Sequence, residues 1–508
     1  MNNADVPNPL NVDGFAPAVA DFRALAPTPL EIMALAVLVV LESMFASVGG
    51  FGLVNLAGPI GLIAIAGMAN WHLVSGRSDA IWTSIFAFRL GVLVIFGIGG
   101  LLPYVVRVST LDYLLALYPF SAGEAATVNI IWGLGYLATM IGASAADNIF
   151  PRVFTNVTEV SAVGKKTVAI GAVFLAVGMT NVVVFEIVPL VADFKLVAPG
   201  SIRLALDAMN SVGLFLLSLW AFGRGGFRYW LVVGLVAINL LGGMIALNKS
   251  LVILPMLFIG IAFLVHRFTI WRALLVAATL MATLATLQPM VANARIQQTE
   301  RFSDLSGGTL GDRIQYYVDY VQGNRNAGTR TGTDESLVRL SYVNVAAFVV
   351  SQYNSRMPDN SIENAAIALI PRVIWPNKPI ITQRSSELYY SLTGSEGSAV
   401  SASVFPDIYW NLGWGGIVLI SPIFGLVMML LSRLSYGIVA MRDWIMMPFV
   451  LVCFKLGVSV DGSIVVSILA PAVMAIAIYL ILRALELVIS ARSHKTSLVA
   501  RGARRMPA

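Results

Sequence analysis

Twelve apolar runs, each about 16 to 25 residues long, dominate this chain, and about 20 such residues in a helix match the ~30 Å hydrocarbon core of a bilayer. They run from Pro29 to Ser47, Gly50 to Ala69, Ile81 to Leu102, Ala125 to Ala146, Thr167 to Val191, Ile202 to Phe222, Trp230 to Leu247, Leu251 to His266, Trp271 to Met290, Gly413 to Ser432, Trp444 to Val460 and Ser463 to Leu487. In hydrocarbon every backbone polar group must be satisfied internally, so apolar runs of this length dictate helices. The sequence therefore predicts an all-α polytopic membrane protein of about 12 transmembrane helices. Composition agrees: 58% of residues are hydrophobic, 12% are charged, and the mean hydropathy is +0.81. Soluble domains carry about 25% charged residues.

Charge placement orients the spans, because short cytoplasmic loops are enriched in Lys and Arg. Alternate loops hold Arg77; Arg152, Lys165 and Lys166; Arg224 and Arg228; Arg267 and Arg272; Arg433 and Arg442. The tail adds Arg492, Lys495, Arg501, Arg504 and Arg505, whereas the opposite loops offer only Arg107, Lys195 and Lys249. Both termini are thus expected in the cytoplasm, with five segments: a tail over 1–28, helices 1–9 over 29–290, a large outer loop over 291–412, helices 10–12 over 413–488, and a basic tail over 489–508. The first 28 residues lack a basic n-region and contain Asp5, Asp13 and Asp21, so no cleaved signal is expected. The net charge of +6 is spent on orientation, which argues against a nucleic-acid partner. Cys453 is the single cysteine, so neither an intramolecular disulfide nor a cysteine metal site is available.

The loop from Val291 to Leu412 breaks the apolar pattern. It holds nine Arg and one Lys against eleven acidic residues. That ratio favours a planar fork of donors, which suits a diphosphate or a carboxylate, although each Arg can equally pair with the loop's own carboxylates. Within it, Leu337, Leu340, Val343, Ala347 and Val350 form an apolar stripe that predicts a helix over 336–352 lying on or dipping into the membrane surface. A second short helix is expected over 360–370, ended by Pro371 and followed by an extended stretch held by Pro376 and Pro379. Arg372 would then sit at the end of an apolar helix, and Trp375 would anchor at headgroup level. The charges within spans that stand out are Arg89, Glu186, Asp207 and Lys455, of which Arg89 and Asp207 are expected to pair with other helices. Lys455 and Asp461, in the outer half of the eleventh span, with Arg203 and Lys249 at other outer ends, can line a groove for an anionic lipid headgroup.

Three stretches carry a resemblance: Leu337-Val338-Arg339-Leu340; Ile370-Pro371-Arg372-Val373-Ile374-Trp375-Pro376-Asn377-Lys378-Pro379; and Val404-Phe405-Pro406-Asp407-Ile408-Tyr409-Trp410-Asn411-Leu412-Gly413-Trp414-Gly415-Gly416. At these residues the chain resembles the bacterial oligosaccharide repeat-unit polymerases, the O-antigen polymerase-like family of polysaccharide biosynthesis. Where that family commonly shows Glu before Tyr-x-Asn-Phe-Gly, this chain has Asp407 and Leu412 in a related pattern. The resemblance implies a glycosyltransferase of the bacterial inner membrane that uses no nucleotide sugar and no cofactor or metal. It would move a growing glycan from undecaprenyl diphosphate onto an incoming lipid-linked repeat unit at the outer face, beside membrane lipids. In such systems a separate chain-length regulator protein is usual.

Such a reaction must neutralise a diphosphate leaving group and orient a sugar hydroxyl. Arg372 and then Arg339 are the expected diphosphate ligands, with Lys378 and Arg384 as second-rank cations and Lys455 in the groove. Asp407 is the acidic candidate, beside Glu387 and Asp359, each of which can also be a surface ion-pair partner. The three histidines, His72, His266 and His494, fall at cytoplasmic ends by this topology and supply no outer base. Tyr389, Tyr390 and Tyr409, with Trp375, can stack on sugar rings or sit in the interfacial belt. A flippase or transporter of lipid-linked oligosaccharide and an O-antigen ligase remain as alternatives. Transport is disfavoured by the absence of visible paired halves.

Overall fold

The computed structural model describes residues 25–75, 78–105, 118–149, 165–192, 200–266, 269–302, 308–323, 340–365, 370, 375, 383–394, 400–441, 443–469 and 471–484. Among them every regular element is helical. In chain order the helices are α1 (Pro29–Ser47), α2 (Phe51–Ser75), α3 (Ser84–Val105, with a π turn at Val92–Ile98), α4 (Ala122–Ile149), α5 (Lys165–Val182, continuing through a π turn at Val183–Ile187 to Val188–Ala192), α6 (Gly200–Arg224), α7 (Arg228–Ile245) and α8 (Lys249–His266). There follow α9 (Ile270–Phe302), α10 (Leu310–Val321), α11 (Val343–Asn354), α12 (Gln383–Thr393), α13 (Val404–Ala440), α14 (Met447–Val458) and, after a π turn at Ile464–Leu469, α15 (Pro471–Ala484).

Eight of these, α1 to α7 and α13, are long and apolar enough to cross a membrane. Shorter apolar helices cover Leu251–Leu264, Met447–Val458 and Pro471–Ala484, at the eighth, eleventh and twelfth expected spans. The ninth lies inside α9, which stays helical to Phe302 because Ala292, Ala294, Arg295 and Gln297 carry high helix propensity past the apolar run. Helix thus runs into both ends of the 291–412 segment, through Phe302 at one end and from Val404 at the other.

The chain forms two compact units. One comprises residues 19–158 and 336–508. Here α1 begins at Thr28, whose hydroxyl accepts the Glu31 N–H at 3.1 Å while Pro29 supplies the preset first-turn φ. α13 lies along α4 at backbone contact: a Cβ on Gly142 would strike the Pro422 carbonyl, and one on Gly425 the Thr139 carbonyl. Small residues at such crossings are how helices approach closely in lipid, where no hydrophobic force drives them together. An aromatic core of Phe88, Phe96, Trp132, Tyr136, Phe405 and Phe424 fills the space between α3, α4 and α13.

The second unit holds residues 1–18 and 159–335. α5 and α6 meet at Gly178 and Gly213, each touching the partner's backbone, and α8, α7, α9 and α10 pack on in turn. Asparagines cross-link the spans: Asn181 Nδ2 donates to Asp207 Oδ1 at 2.6 Å and Asn210 Nδ2 to Asn239 Oδ1 at 2.8 Å.

The expected surface helix over 336–352 is realised as α11, starting at Val343, and it is not a surface element. Val343, Val345, Ala346, Ala347, Val349 and Val350 are all buried, because apolar residues occur around its whole circumference rather than on one stripe. Over 360–370 the described residues form a short 3₁₀ turn, Ser361–Asn364.

Candidate functional site: a laced platform at the start of α13

α13 is two helices joined at Gly413, whose φ of 63° and ψ of −155° lie in a region open essentially to glycine alone. The sequence puts three glycines at 413, 415 and 416, and Tyr353 packs where a Gly413 Cβ would stand. The N-terminal piece, Val404 to Leu412, carries the resembling block and is buried almost throughout. Its amide at Val404 donates to the Val460 carbonyl at 3.0 Å, and Asp407 Oδ2 accepts the Ile464 N–H at 3.0 Å. Asp407 thus ties this piece to the chain that follows α14. It is 6% exposed, which corrects its expected place as a surface ion-pair partner.

The segment from Met357 to Ile362 is stitched onto the same piece. Trp410 Nε1 donates to the Met357 carbonyl at 3.1 Å, and the Asp359 amide to the Trp410 carbonyl at 3.1 Å. Asn411 Oδ1 accepts the Ile362 N–H at 3.0 Å, while Asn411 Nδ2 reaches Ser361 Oγ at 3.2 Å and the Asp407 carbonyl at 2.9 Å. An amide side chain is suited to this because it donates and accepts at once. Tyr409 donates to Asn354 Oδ1 at 3.1 Å and stacks between Tyr353 and Trp414, with ring centroids 4.9 and 5.1 Å away.

Arg384, in the first turn of α12, closes the arrangement. Its guanidinium meets Asp359 Oδ1 at 2.5 Å and Glu387 at 3.2 Å, and its Cζ lies 4.6 Å from the Trp410 ring centre. Asp359 is buried, and both its Oδ2 and Arg384 Nε lack a partner. Val345, Val349, Leu388, Ala402 and Trp410 form the apolar floor. Asp359 and Arg384, 25 positions apart in sequence, are thus held together over Trp410. The sequence between them contains the Pro-Arg-x-x-Trp-Pro-x-Lys-Pro run.

Of the residues singled out from sequence, Arg384, Asp407 and Tyr409 come together here. Trp375 is 40% exposed. Arg372, Arg339 and Lys378 lie outside the described residues. Asp359 and Glu387 both pair with Arg384; Glu387 lies at the surface as expected, whereas Asp359 is buried. Tyr390 is exposed. Lys455 is exposed on α14, and its carbonyl accepts the Ser459 amide and hydroxyl. Asp461 accepts from the Tyr342 hydroxyl at 3.2 Å. Asn411 and Trp410 entered the sequence reading only inside the resembling block, yet they hold most of the lacing.

Two of the charges within spans, Arg89 and Glu186, are in ion pairs. Arg89 Nε and Nη2 bind both Glu31 oxygens at 2.9 and 2.6 Å, and the Tyr136 hydroxyl donates to Glu31 at 2.8 Å, all three being buried. Glu186 pairs with Arg203 at 2.7 Å. Arg203 is therefore held within its helix bundle rather than turned to a headgroup groove. Glu31 was not singled out from the sequence, nor was Glu42, which is 2% exposed with neither carboxyl oxygen hydrogen-bonded. Both were legible as acidic residues inside an apolar run.

No curated protein matches this chain, and no solved structure does. A family model described as a domain of unknown function, DUF8712, matches residues 201–486, more than half of the 508 residues, and the chain belongs to that family.

Proposed function

We propose that this protein is a glycan polymerase of the bacterial inner membrane, transferring a growing polysaccharide from undecaprenyl diphosphate to a lipid-linked repeat unit at the outer face. The observation that carries this reading is the ion pair between Asp359 and Arg384, set over Trp410 of the Asp407-to-Gly416 block. These two residues flank the run of Arg372, Trp375 and Lys378 in sequence. Two fixed flanks support a site that must hold a flexible lipid diphosphate, because part of the ordering cost is met before substrate arrives.

The roles follow from chemistry. Arg372 and Arg339 offer planar forks to the diphosphate, with Lys378 as an additional cation. Arg384 serves as the clamp, since two carboxylates already occupy its guanidinium. Asp407 positions the scaffold through the Ile464 amide. Loss of one diphosphate donor removes about 3 kcal/mol of transition-state stabilisation, on the order of 100-fold in rate.

The test is mass spectrometry of lipid-linked glycans from cells lacking the gene, complemented with wild type, Arg372→Ala or Arg372→Lys. Single repeat units on undecaprenyl diphosphate should accumulate at the outer face, with long polymer lost in the null and in both variants. Polymer of normal length that fails to reach its final acceptor would indicate a ligase. Units retained at the cytoplasmic face would indicate a transporter, and wild-type polymer from both variants would remove Arg372 from the site.

A further inference from the structure

We infer that α10 is a membrane-surface helix whose partner is the phospholipid interface, reached through Leu310, Ile314, Val318 and Val321. This stands independently of the glycan chemistry. At 3.6 residues per turn the helix has three distinct sides. One is bonded to protein: Arg313 Nη1 donates to the Ile245 carbonyl at 2.6 Å, the Tyr317 hydroxyl to the Met244 carbonyl at 2.7 Å, and Tyr316 packs with Leu247 and Ala294. The next side carries the four apolar residues, of which Ile314, Val318 and Val321 are 52%, 38% and 74% exposed. The third is polar, with Asp312, Gln315, Asp319 and Gln322.

The place of attachment identifies what covers the apolar side. Met244 and Ile245 are the last residues of α7, a helix long and apolar enough to span the bilayer, so α10 is fastened where a span ends. On α7 itself Leu231, Ile238 and Leu241 form one exposed apolar side, as a lipid-facing span requires. A helix fixed at the bilayer edge, with one side on protein, one apolar and one polar, meets all three surroundings at once. An interfacial helix buries its apolar face about 5–10 Å into the headgroup and acyl boundary. The Thr309–Asp312 capping box starts the helix independently of other elements, and Arg301 pairs with Asp312 at 2.7 Å.

The experiment uses the full chain in liposomes of phosphatidylethanolamine and phosphatidylglycerol, with spin labels at Ile314→Cys or Val318→Cys and, for comparison, Gln315→Cys or Gln322→Cys. Cys453 is fully buried and stays in place. Labels at 314 and 318 should collide several-fold more with oxygen than with a water-soluble nickel chelate, and labels at 315 and 322 should show the reverse. Equal nickel access on both sides would overturn the inference. So would shielding of 314 and 318 from both reagents, the result expected if a second copy of the chain covers this side. Val321→Cys is a substitute reporter should either apolar-side variant fail to insert.

Discussion

At the scale of single residues, two glutamates on one helix make opposite demands. Glu31 is bound by Arg89 and Tyr136, and removing it leaves a guanidinium buried without a counter-charge. Breaking one partner of such a pair costs about 3–5 kcal/mol, so Glu31→Ala should sharply lower the unfolding midpoint in lipid or detergent. Glu42 has no hydrogen-bond partner, and its oxygens abut the Cα positions of Gly58 and Gly133. Glu42→Met removes an uncompensated polar group without orphaning another, so the same measurement should show no loss of stability. What the sequence discloses at this scale is the anomaly, an acid within an apolar run. Which acid has a partner depends on helices 58 and 105 residues away, and no local pattern encodes that. Asp407 illustrates the same limit: its neighbours in sequence suggested an acidic function, while its burial follows from Ile464, 57 residues on.

Elements are decided by how far a pattern extends around or along a helix. Span existence was readable because length and apolarity are local sums, and eight helices meet both conditions. The kink in α13 was readable only as a glycine cluster; the backbone reversal at Gly413 comes from Tyr353 occupying the missing Cβ position. Gly413→Ala therefore meets both a disfavoured backbone and a steric clash, with about 1–3 kcal/mol from the backbone alone. The expected readout is a lower melting temperature together with loss of polymer. α11 was misassigned to the surface because a stripe was counted without the apolar residues between its members, Val345, Ala346 and Val349. In α10 the cap is local and its behaviour with pH can be worked out. The Thr309 backbone amide, then its hydroxyl, hold the Asp312 carboxyl below its ordinary pKa. A depressed folded pKa gives stability that is present above the unfolded carboxylate pKa and is lost as pH falls through the folded value. Protection of the first-turn amides of α10, that is their exchange rate relative to the intrinsic rate at the same pH, should accordingly fall as the solution is acidified through and below the ordinary carboxylate range. Asp312→Asn should show low protection throughout, with no such fall on acidification.

For the whole molecule, the proposed chemistry demands that the polar segment face away from the cytoplasm, and the unit of residues 159–335 alone provides a sharp test. α7 runs once between the pair Arg224 and Arg228 and the carbonyls at Met244 and Ile245 that hold α10. If α7 spans, Phe227, 84% exposed, and Gln322, at the end of α10, fall on opposite sides of the membrane. Arg224 and Arg228 give the expectation that the Phe227 side is cytoplasmic, since short loops rich in Lys and Arg are retained there. In intact cells stripped of the outer membrane, a maleimide that cannot cross the bilayer should label Gln322→Cys and leave Phe227→Cys unlabelled until the membrane is permeabilised. Labelling of both from one side would mean that α7 does not span. The reverse pattern would keep the helices and invert this unit, placing α10 in the cytoplasm, against the charge-based orientation on which the outer-face reading rests.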